Sequence, residues 1–319
     1  YLVVGCGHSG ISAIRLLKKT THNICAYDDF PCSKQTLKQL SLLEVSLLNK
    51  KEVCNLNLLL YTLVISPGIA LTHWLVKKAP QSIPIISELE LALSYYKGKT
   101  IAITGTNGKS TTAKMCYHIL NKLSVYTILA GNFGKSLSAV LAENRSPDVL
   151  VLELSSYQIE QTKTINPDVS IFTTFSEDHL ERHKTMSNYF NIKWRIFNSK
   201  KQKFRGFCSQ NILSQYKKYN TQSILMDNIS IVNNDNTPLI THQSTRINER
   251  HNINNALLAA SACAYLTQTS MKTIASHLKS FKSIPHRYET LGTVDNALII
   301  NDSKATNLES TLAALESTP

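Results

Sequence analysis

The chain has 319 residues, which is more than one ordinary domain of about 100–200 residues and predicts two or three domains. Hydrophobic residues make up 43% and charged residues 18%, a balance that excludes a charge-rich disordered chain and predicts a sizeable core. The strongest apolar stretch, around Leu56–Ile65, is far shorter than the roughly 20 residues that cross a bilayer, and no signal region opens the sequence. We therefore expect a cytoplasmic protein with no membrane partner.

The net charge and the cysteine content further limit the classes of protein to which the chain can belong. The formal net charge is +12, but the densest basic stretch, Lys193 to Lys218, lacks the regularly interleaved aromatic residues of a nucleic-acid surface. We expect a solvated basic surface, anionic small-molecule ligands and no nucleic acid. The seven cysteines are scattered without a C-x-x-C pair, a pattern that predicts neither a disulfide framework nor a zinc site.

The chain opens on a pattern typical of a nucleotide-binding domain. A short apolar strand, Tyr1–Val4, leads into a glycine-rich loop and a predicted helix over Ile11–Lys19. The loop reads Gly5-Cys6-Gly7-His8-Ser9-Gly10, and its glycines let the backbone approach a pyrophosphate at a helix N-terminus. A second strand, Ile24–Tyr27, ends in Asp28-Asp29, where an acidic residue typically binds a ribose or a base. The alternative, that the glycines serve only strand–helix packing, stays open. Because no initiator Met precedes Tyr1, we expect a longer natural N-terminus.

Two more strands complete this region. Leu63–Ile65 precedes a turn at Ser66-Pro67-Gly68, and Ile83–Ile86 precedes a helix whose cap we expect at Ser87. The segment predicts a β/α domain of about 95 residues. Lys97–Lys99 marks its expected boundary.

A second phosphate-binding loop follows. The strand Thr100–Ile103 runs into Thr104-Gly105-Thr106-Asn107-Gly108-Lys109-Ser110-Thr111-Thr112 and then a helix. The glycines permit a nest of backbone N–H groups, Lys109 can reach terminal phosphates, and Ser110 can hold Mg²⁺. The loop departs from G-x-x-x-x-G-K-[ST] because only two residues separate its glycines.

Three later segments carry polar residues suited to a metal site. Glu153 ends the predicted strand Asp148–Leu152, where it can coordinate a hard cation or, alternatively, cap a helix N-terminus. A polar cluster, Glu177–His183, follows the strand Val169–Thr173. Lys193 lies on a predicted helical stretch, Tyr189–Phe197, where a solvated lysine is the competing interpretation.

The motifs together resemble a known enzyme family, the ATP-dependent Mur ligases of peptidoglycan synthesis, along essentially the whole chain. The matching motifs are Gly105–Thr111, Gly131-Asn132, Glu153–Ser156, Asp178-His179, Tyr189 with Lys193, His251-Asn252 to Asn255-Ala256, Pro285–Arg287 and Asn301–Asn307. Within the family, Asn301–Asn307 and the opening domain look most like the members that add D-glutamate to UDP-N-acetylmuramoyl-L-alanine. Other Mur ligases and folylpolyglutamate synthase share the central motifs.

The resemblance implies an α/β protein of three-domain Mur ligase architecture. It implies a Rossmann-like UDP-binding domain over 1–96, a P-loop-type central ATPase domain over 97–283, and only the start of a Rossmann-like C-terminal ligase domain over 284–319. We expect a monomer of the bacterial cytoplasm, and we expect catalysis to need the rest of the third domain. The implied reaction passes through an acyl phosphate, made with ATP, before the amine of D-glutamate attacks.

The resemblance also implies roles for individual residues. The implied ATP-binding residues are Gly105, Thr106, Asn107, Gly108, Lys109, Ser110, Thr111, Asn252, Asn255, Arg287 and Asp302. The implied UDP-substrate residues are Gly5, Gly7, His8, Ser9, Gly10, Asp28, Asp29, Gly68, Asn132, Ser155 and His179. Ser110, Glu153, His179 and a Lys193 carbamylated by CO₂ would hold two Mg²⁺ ions, and Lys304 and Thr306 would contact the amino acid. The implied catalytic residues are Lys109, His179, Lys193, Asp302 and Lys304.

Departures and alternatives remain. Thr174 stands where the family usually has Asn, so we expect weaker support of the loop, and Arg250 reverses a charge near the adenine region. The family's short acidic motif is not recognisable around Gly206–Asn211. The first glycine loop with Asp28 also suits an NAD-dependent oxidoreductase, and a non-catalytic UDP-sugar-binding protein stays open.

Overall fold

The computed structural model describes residues 1–219, 228–232, 250–282, 284–295 and 297–316. These residues form two compact units. The first comprises Tyr1–Gly98 with Ala130–Pro147 and Ser155–Ile165, and the second comprises Lys99–Leu129, Asp148–Leu154 and Asn166–Pro319. The predicted α/β class is confirmed, and the division into three domains stays a prediction. No helix in the described ranges is long and apolar enough to cross a bilayer.

The first unit is built on a parallel sheet with strand order β3-β2-β1-β4-β5. The order reverses between β1 and β4, the kind of switch point where open α/β sheets bind ligands. Its elements are β1 Leu2–Val4, α1 His8–Leu17, β2 Cys25–Tyr27, α2 Lys34–Leu42, β3 Ser46–Leu48, α3 Lys50–Cys54, β4 Leu63–Ile65, α4 Trp74–Lys78, β5 Ile85–Ser87 and α5 Glu88–Tyr95.

Short apolar strands and side-chain caps explain these elements. The strands β1 and β4 are fully buried, as expected for central parallel strands. The expected cap at Ser87 is confirmed, because its Oγ accepts from the Glu90 N–H at 3.0 Å. Helix α1 begins at His8, earlier than Ile11, because Gly7 already serves as its N-cap.

The second sheet has the order β11-β10-β9-β6-β8-β7, and β6 pairs in parallel with both β8 and β9. Helices α6 and α12 share a core that includes Cys116, Ile119, Leu257 and Ala260. The elements from residue 99 are β6 Lys99–Thr104, α6 Lys109–Lys122, β7 Thr127–Gly131, α7 Leu137–Ala142, β8 Val149–Glu153, α8 Ser156–Gln161, β9 Val169–Phe172, α9 Leu180–His183, α10 Met186–Trp194, β10 Arg205–Cys208, α11 Gln210–Tyr219, β11 Ile229–Ile231, α12 Arg250–Thr267, α13 Met271–Leu278, β12 Glu289–Val294, β13 Ala297–Asn301 and α14 Leu308–Glu316.

The C-terminal segment belongs to the second unit. Strands β12 and β13 form an antiparallel hairpin, and the loop after β13 leads into α14. This topology places the Asp302–Asn307 loop at the end of the hairpin. The loop is therefore carried by paired strands rather than by an isolated extension.

Candidate active site

The phosphate-binding loop joins β6 to α6 through two glycines with positive φ. Gly105 has φ +152° and Gly108, the N-cap of α6, has φ +81°. A Cβ built on Gly108 would lie 2.5 Å from Asn255 Oδ1. Only glycine combines this backbone conformation with this close approach. The loop therefore leaves the N-terminus of a 14-residue helix open to an anion.

Lys109 is folded back over the loop. Its Nζ donates to the Gly105 carbonyl at 2.9 Å and to the Thr106 carbonyl at 2.6 Å. Burial lowers the pKa of its amine, Glu153 and Asp178 raise that pKa, and Arg287 lowers it. The amine lies among the charges that a metal–phosphate site would need.

Glu153 ends β8 beside Ile103 of β6 and is 2% exposed. It is close enough to Lys109 and Lys193 to influence the pKa of both amines. The alternative interpretation of Glu153 as a helix cap is wrong, because Ser155 caps α8 by accepting from the Gln158 N–H at 3.3 Å. A buried carboxylate at the carboxyl end of a parallel strand suits a hard cation.

Lys193 is buried rather than solvated. The residue is only 1% exposed, although lysines on helices usually lie at the protein surface. Its Nζ donates to the Gly105 carbonyl at 2.7 Å and lies 4.8 Å from the centre of the Tyr189 ring. Burial, with the nearby Lys109, holds the pKa of this amine well below 10.5, against the opposing influence of Asp178 and Glu153. The interpretation of Lys193 as a solvated lysine is therefore wrong.

The segment after β9 supports the loop through hydroxyl groups. Thr174 Oγ1 accepts from the Asn107 N–H at 2.8 Å and donates to the Asn107 carbonyl at 3.1 Å. Thr173 Oγ1 donates to that same carbonyl at 2.5 Å. Thr106 Oγ1 accepts from the Ser176 N–H at 3.1 Å. Thr174 thus holds both backbone groups of Asn107, and the role of Thr173 was missed by sequence reasoning.

His179 stands at the edge of this segment. It has φ +54°, its side chain is 45% exposed, and its ring meets the Tyr189 ring edge-on at 6.2 Å. Its Nδ1 lies 3.6 Å from both Asp178 Oδ1 and Glu181 Oε1. The imidazole is accessible and faces carboxylates.

A cavity of about 230 Å³ opens beside the loop. Arg287 Nη2 donates to Ser110 Oγ at 3.0 Å, and Asp302 Oδ1 accepts from the Tyr288 N–H at 3.1 Å. Several residues expected to bind ATP or the amino acid line this one cavity, namely Asn107, Gly108, Thr111, Asn252, Asn255, Arg287, Asp302 and Lys304. Thr306 is exposed on the same loop as Lys304. The side chains of Arg250 and His251 lie outside what the structure describes.

The side chains of Asn107 and Asn307 bond to each other in both directions. Asn307 Nδ2 donates to Asn107 Oδ1 at 3.0 Å, and Asn107 Nδ2 donates to Asn307 Oδ1 at 3.2 Å. This pair ties the loop after β13 to the phosphate-binding loop. It explains how Asp302 and Lys304 of the loop after β13 come to line the same cavity as Asn107.

The first glycine loop lies at the carboxyl ends of β1, β2 and β4. Gly5 has φ +91°, and its carbonyl accepts from Ser66 Oγ at 2.8 Å. Asp28 Oδ2 accepts from the Cys6 N–H at 2.6 Å. His8 and Ser9 begin α1 next to these groups, and Gly68 is exposed two residues after Ser66. The structure therefore gathers the glycine loop, Asp28 and the Ser66–Gly68 turn.

The carboxylate of Asp29 contacts three neighbouring side chains. Its carboxylate accepts from Tyr27 Oη at 2.7 Å and Trp74 Nε1 at 3.1 Å, and it pairs with His73 Nε2 at 2.5 Å. Although burial raises the pKa of Asp29, these hydrogen bonds lower it from 3.8 to about 2. Asn132 is exposed after β7, and Ser155 is occupied as a helix cap.

Sequence comparisons relate the chain to known proteins. The profile of the Mur ligase middle domain matches residues 103–263. A UDP-N-acetylmuramoylalanine--D-glutamate ligase of Prochlorococcus marinus (strain NATL2A) is 36% identical, over 100% of this chain and 74% of the relative. The enzyme of that name from Aquifex aeolicus (strain VF5) is 34% identical, over 100% and 74%.

Solved structures of the same family share the fold. MurF of Acinetobacter baumannii has a TM-score of 0.59 at 15% identity, covering 99% of this chain and 70% of that one. MurF of Thermotoga maritima, solved in complex with ADP, has a TM-score of 0.59 at 14% identity, covering 94% and 73%. The profile match and the relatives above 30% identity show that the chain belongs to the Mur ligase family of ATP-dependent amide ligases.

Proposed function

We propose that this chain provides the UDP-sugar and ATP sites of an enzyme that adds D-glutamate to UDP-N-acetylmuramoyl-L-alanine. Relatives named for that reaction are 31–36% identical over nearly the whole chain, which supports this choice within the family. The protein would act as a monomer in the bacterial cytoplasm, in the synthesis of peptidoglycan precursors. The three-domain division at 1–96, 97–283 and 284–319 is part of the proposal.

The observation that carries the proposal is the arrangement around Gly105. The half-buried Lys109 and the buried Lys193 both donate to its carbonyl, and the buried Glu153 lies close to both amines. A phosphate-binding loop flanked by one buried carboxylate and two lysine amines is suited to phosphoryl transfer, where charge accumulates on phosphate oxygens. An NAD site requires none of these groups.

The chemistry follows from the weakness of a carboxylate as an acyl donor. Transfer of the γ-phosphoryl group of ATP to the substrate carboxylate forms an acyl phosphate and releases ADP. The amine of D-glutamate then attacks the acyl carbon, the C–O bond to phosphate breaks, and an amide and inorganic phosphate result. Lys109 would neutralise charge on the transferred group, and exclusion of water would protect the acyl phosphate.

The donor set fits Mg²⁺. The Ser110 hydroxyl and the Glu153 carboxylate are hard oxygen donors, and His179 offers an imidazole nearby along the chain. Bound Mg²⁺ would neutralise phosphate charge. The low pKa of the buried Lys193 favours the neutral amine that carbamylation by CO₂ requires, and the resulting carboxylate would add an oxygen donor.

The remaining residues divide between the substrates. Gly105–Thr111, Asn252, Asn255, Arg287 and Asp302 would bind ATP, and Lys304 and Thr306 would contact D-glutamate or the reacting carboxylate. His179 and Asn132 would contact the muramoyl substrate. The UDP group would be bound by Gly5, Gly7, His8, Ser9, Gly10, Asp28, Asp29, Gly68 and Ser155.

Isotope transfer tests the proposed reaction. The substrate carboxylate is labelled with oxygen-18, and the phosphate released in the presence of ATP, Mg²⁺ and D-glutamate is analysed by mass spectrometry. Transfer of one labelled oxygen to phosphate per amide formed is the expected result. Unlabelled phosphate would contradict the acyl phosphate route.

A further inference from the structure

Two cysteines that are far apart in sequence meet in the first unit. Cys6 follows β1 and Cys32 follows β2, and these parallel strands are neighbours, so their carboxyl ends lie at the same edge of the sheet. Asp28 lies at that edge as well. The two thiol sulfurs and a carboxylate oxygen of Asp28 all lie within 4.8 Å of one another. Both cysteines are free thiols.

We propose that Cys6, Cys32 and Asp28 form a binding site for a thiolate-preferring divalent cation, with Zn²⁺ as the ion it fits best. Zn²⁺ accepts both thiolate sulfur and carboxylate oxygen as ligands in tetrahedral sites, and solvent or another ligand would complete the fourth position. This site goes beyond the proposed function, and it shares Asp28 and the loop that carries Cys6 with the proposed UDP site.

The distances among the three donor atoms suit Zn²⁺ after a small contraction of the site. Tetrahedral zinc with sulfur ligands at about 2.3 Å holds two sulfurs about 3.8 Å apart. The donor atoms here lie within 4.8 Å, so a shift of about 1 Å, within reach of χ1 adjustments, would close the site. Cys32 and Asp28 are half-buried and Cys6 is buried, so the ion has a route in while one ligand is shielded.

Backbone groups already hold the carboxylate in place. Asp28 Oδ2 accepts from the Cys6 N–H at 2.6 Å, and Asp28 Oδ1 accepts from the Phe30 N–H at 3.1 Å. Each carboxylate oxygen retains a further lone pair for a cation. Hydrogen bonds of this kind orient a metal ligand and limit its freedom before the ion arrives.

Each of the two cysteines stands next to a helix N-cap in the chain, and its surroundings oppose loss of the thiol proton. Cys6 immediately precedes Gly7, the N-cap of the 10-residue α1, and Cys32 immediately precedes Ser33, the N-cap of the 9-residue α2. Burial, with the nearby Asp28, raises the pKa of both the Cys6 and the Cys32 thiols, so an incoming cation must displace their protons.

The test uses Co²⁺ as a spectroscopic probe for zinc, with the reduced chain free of any affinity tag. We expect one Co²⁺ per chain, a thiolate-to-metal charge-transfer band and the visible bands of tetrahedral cobalt, all removed by one equivalent of Zn²⁺. Cys32→Ser should lose the charge-transfer intensity of one thiolate and weaken Co²⁺ binding at least about tenfold. Cys54→Ser, at an exposed free cysteine, is the matched control and should behave like the unaltered protein.

Thermal unfolding provides a second readout. Zn²⁺ should raise the melting temperature of the unaltered chain and of Cys54→Ser, because an ion that binds only the folded state stabilises it. Cys32→Ser should melt normally without metal and gain little from Zn²⁺. Absence of a thiolate charge-transfer band in the unaltered chain, or an undiminished band in a folded Cys32→Ser, would overturn the proposal.

Discussion

Replacing Lys193 separates a chemical role from a structural one. Lys193→Met keeps an unbranched side chain of similar reach but removes the buried amine. The lost hydrogen bond to the Gly105 carbonyl is worth about 1 kcal/mol, and Lys109 still donates to that carbonyl at 2.9 Å. The substitution also removes the free-energy cost of burying the amine, which offsets the lost hydrogen bond. The free energy of unfolding should therefore change by no more than about 1 kcal/mol.

Activity should respond far more strongly than stability. We expect the rate of ADP formation to fall at least about 100-fold in Lys193→Met, the scale typical of losing one electrostatic group at a reaction centre. Short carboxylic acids should partly restore activity to Lys193→Ala, because they can enter the vacated space and supply a carboxylate. Lys217→Met, at an exposed lysine of α11, is the matched control. A Lys193→Met rate within about threefold of the unaltered protein would refute this reasoning, and so would a loss of stability above about 3 kcal/mol.

Three further predictions concern the loop and two titrating groups. Gly108→Ala should weaken ATP binding, measured by calorimetry, at least about tenfold, because a Cβ at φ +81° would meet Asn255 Oδ1. Lys114→Ala, at an exposed lysine of α6, is the control, and an equal loss of ATP binding in that variant would contradict this reasoning. The pKa of Lys193 is lower in the folded state, so the unfolded chain binds more protons between that lowered pKa and 10.5. The free energy of unfolding should therefore rise with pH in this window, with a smaller slope in Lys193→Met when urea titrations are run in CO₂-free buffer; an equal slope would argue against the buried amine. His73→Ala should move the pKa of Asp29 upward from about 2, as followed by carbon-13 NMR, and an unchanged value would show that His73 does not hold the carboxylate.

The sequence predicted the fold well where local pattern and topology agree. Short apolar runs followed by glycine turns predicted β1, β4 and β6, and the loop expected after Ile103 lies between β6 and α6, which begins at Lys109 rather than after Thr112. Each of these signals is local, since the strand, the turn and the following helix are adjacent in the chain. The observed start of a helix differs from the predicted start where the N-cap residue determines it, as Gly7 does for α1.

Contacts between distant segments were less predictable. Helix periodicity does not reveal that Lys193 is buried, because its burial depends on packing against Tyr189 and the Gly105 loop. The support from Thr173 depends on β9 lying beside β6.

The cysteines illustrate the same limit. The absence of a C-x-x-C pair predicted no zinc site, yet adjacent parallel strands bring Cys6 and Cys32 together over 26 positions of sequence. Signals of this kind require the strand order, which the sequence alone does not provide.

Phosphate release tests the central claim most directly. The natural gene product that contains this sequence is supplied with ATP, Mg²⁺ and UDP-N-acetylmuramoyl-L-alanine, and D-glutamate, L-lysine or D-alanyl-D-alanine is added in turn. We predict that sustained phosphate release requires D-glutamate and that neither of the other two compounds replaces it. Turnover supported by L-lysine or D-alanyl-D-alanine, or no turnover with any of the three, would contradict the proposed D-glutamate ligase.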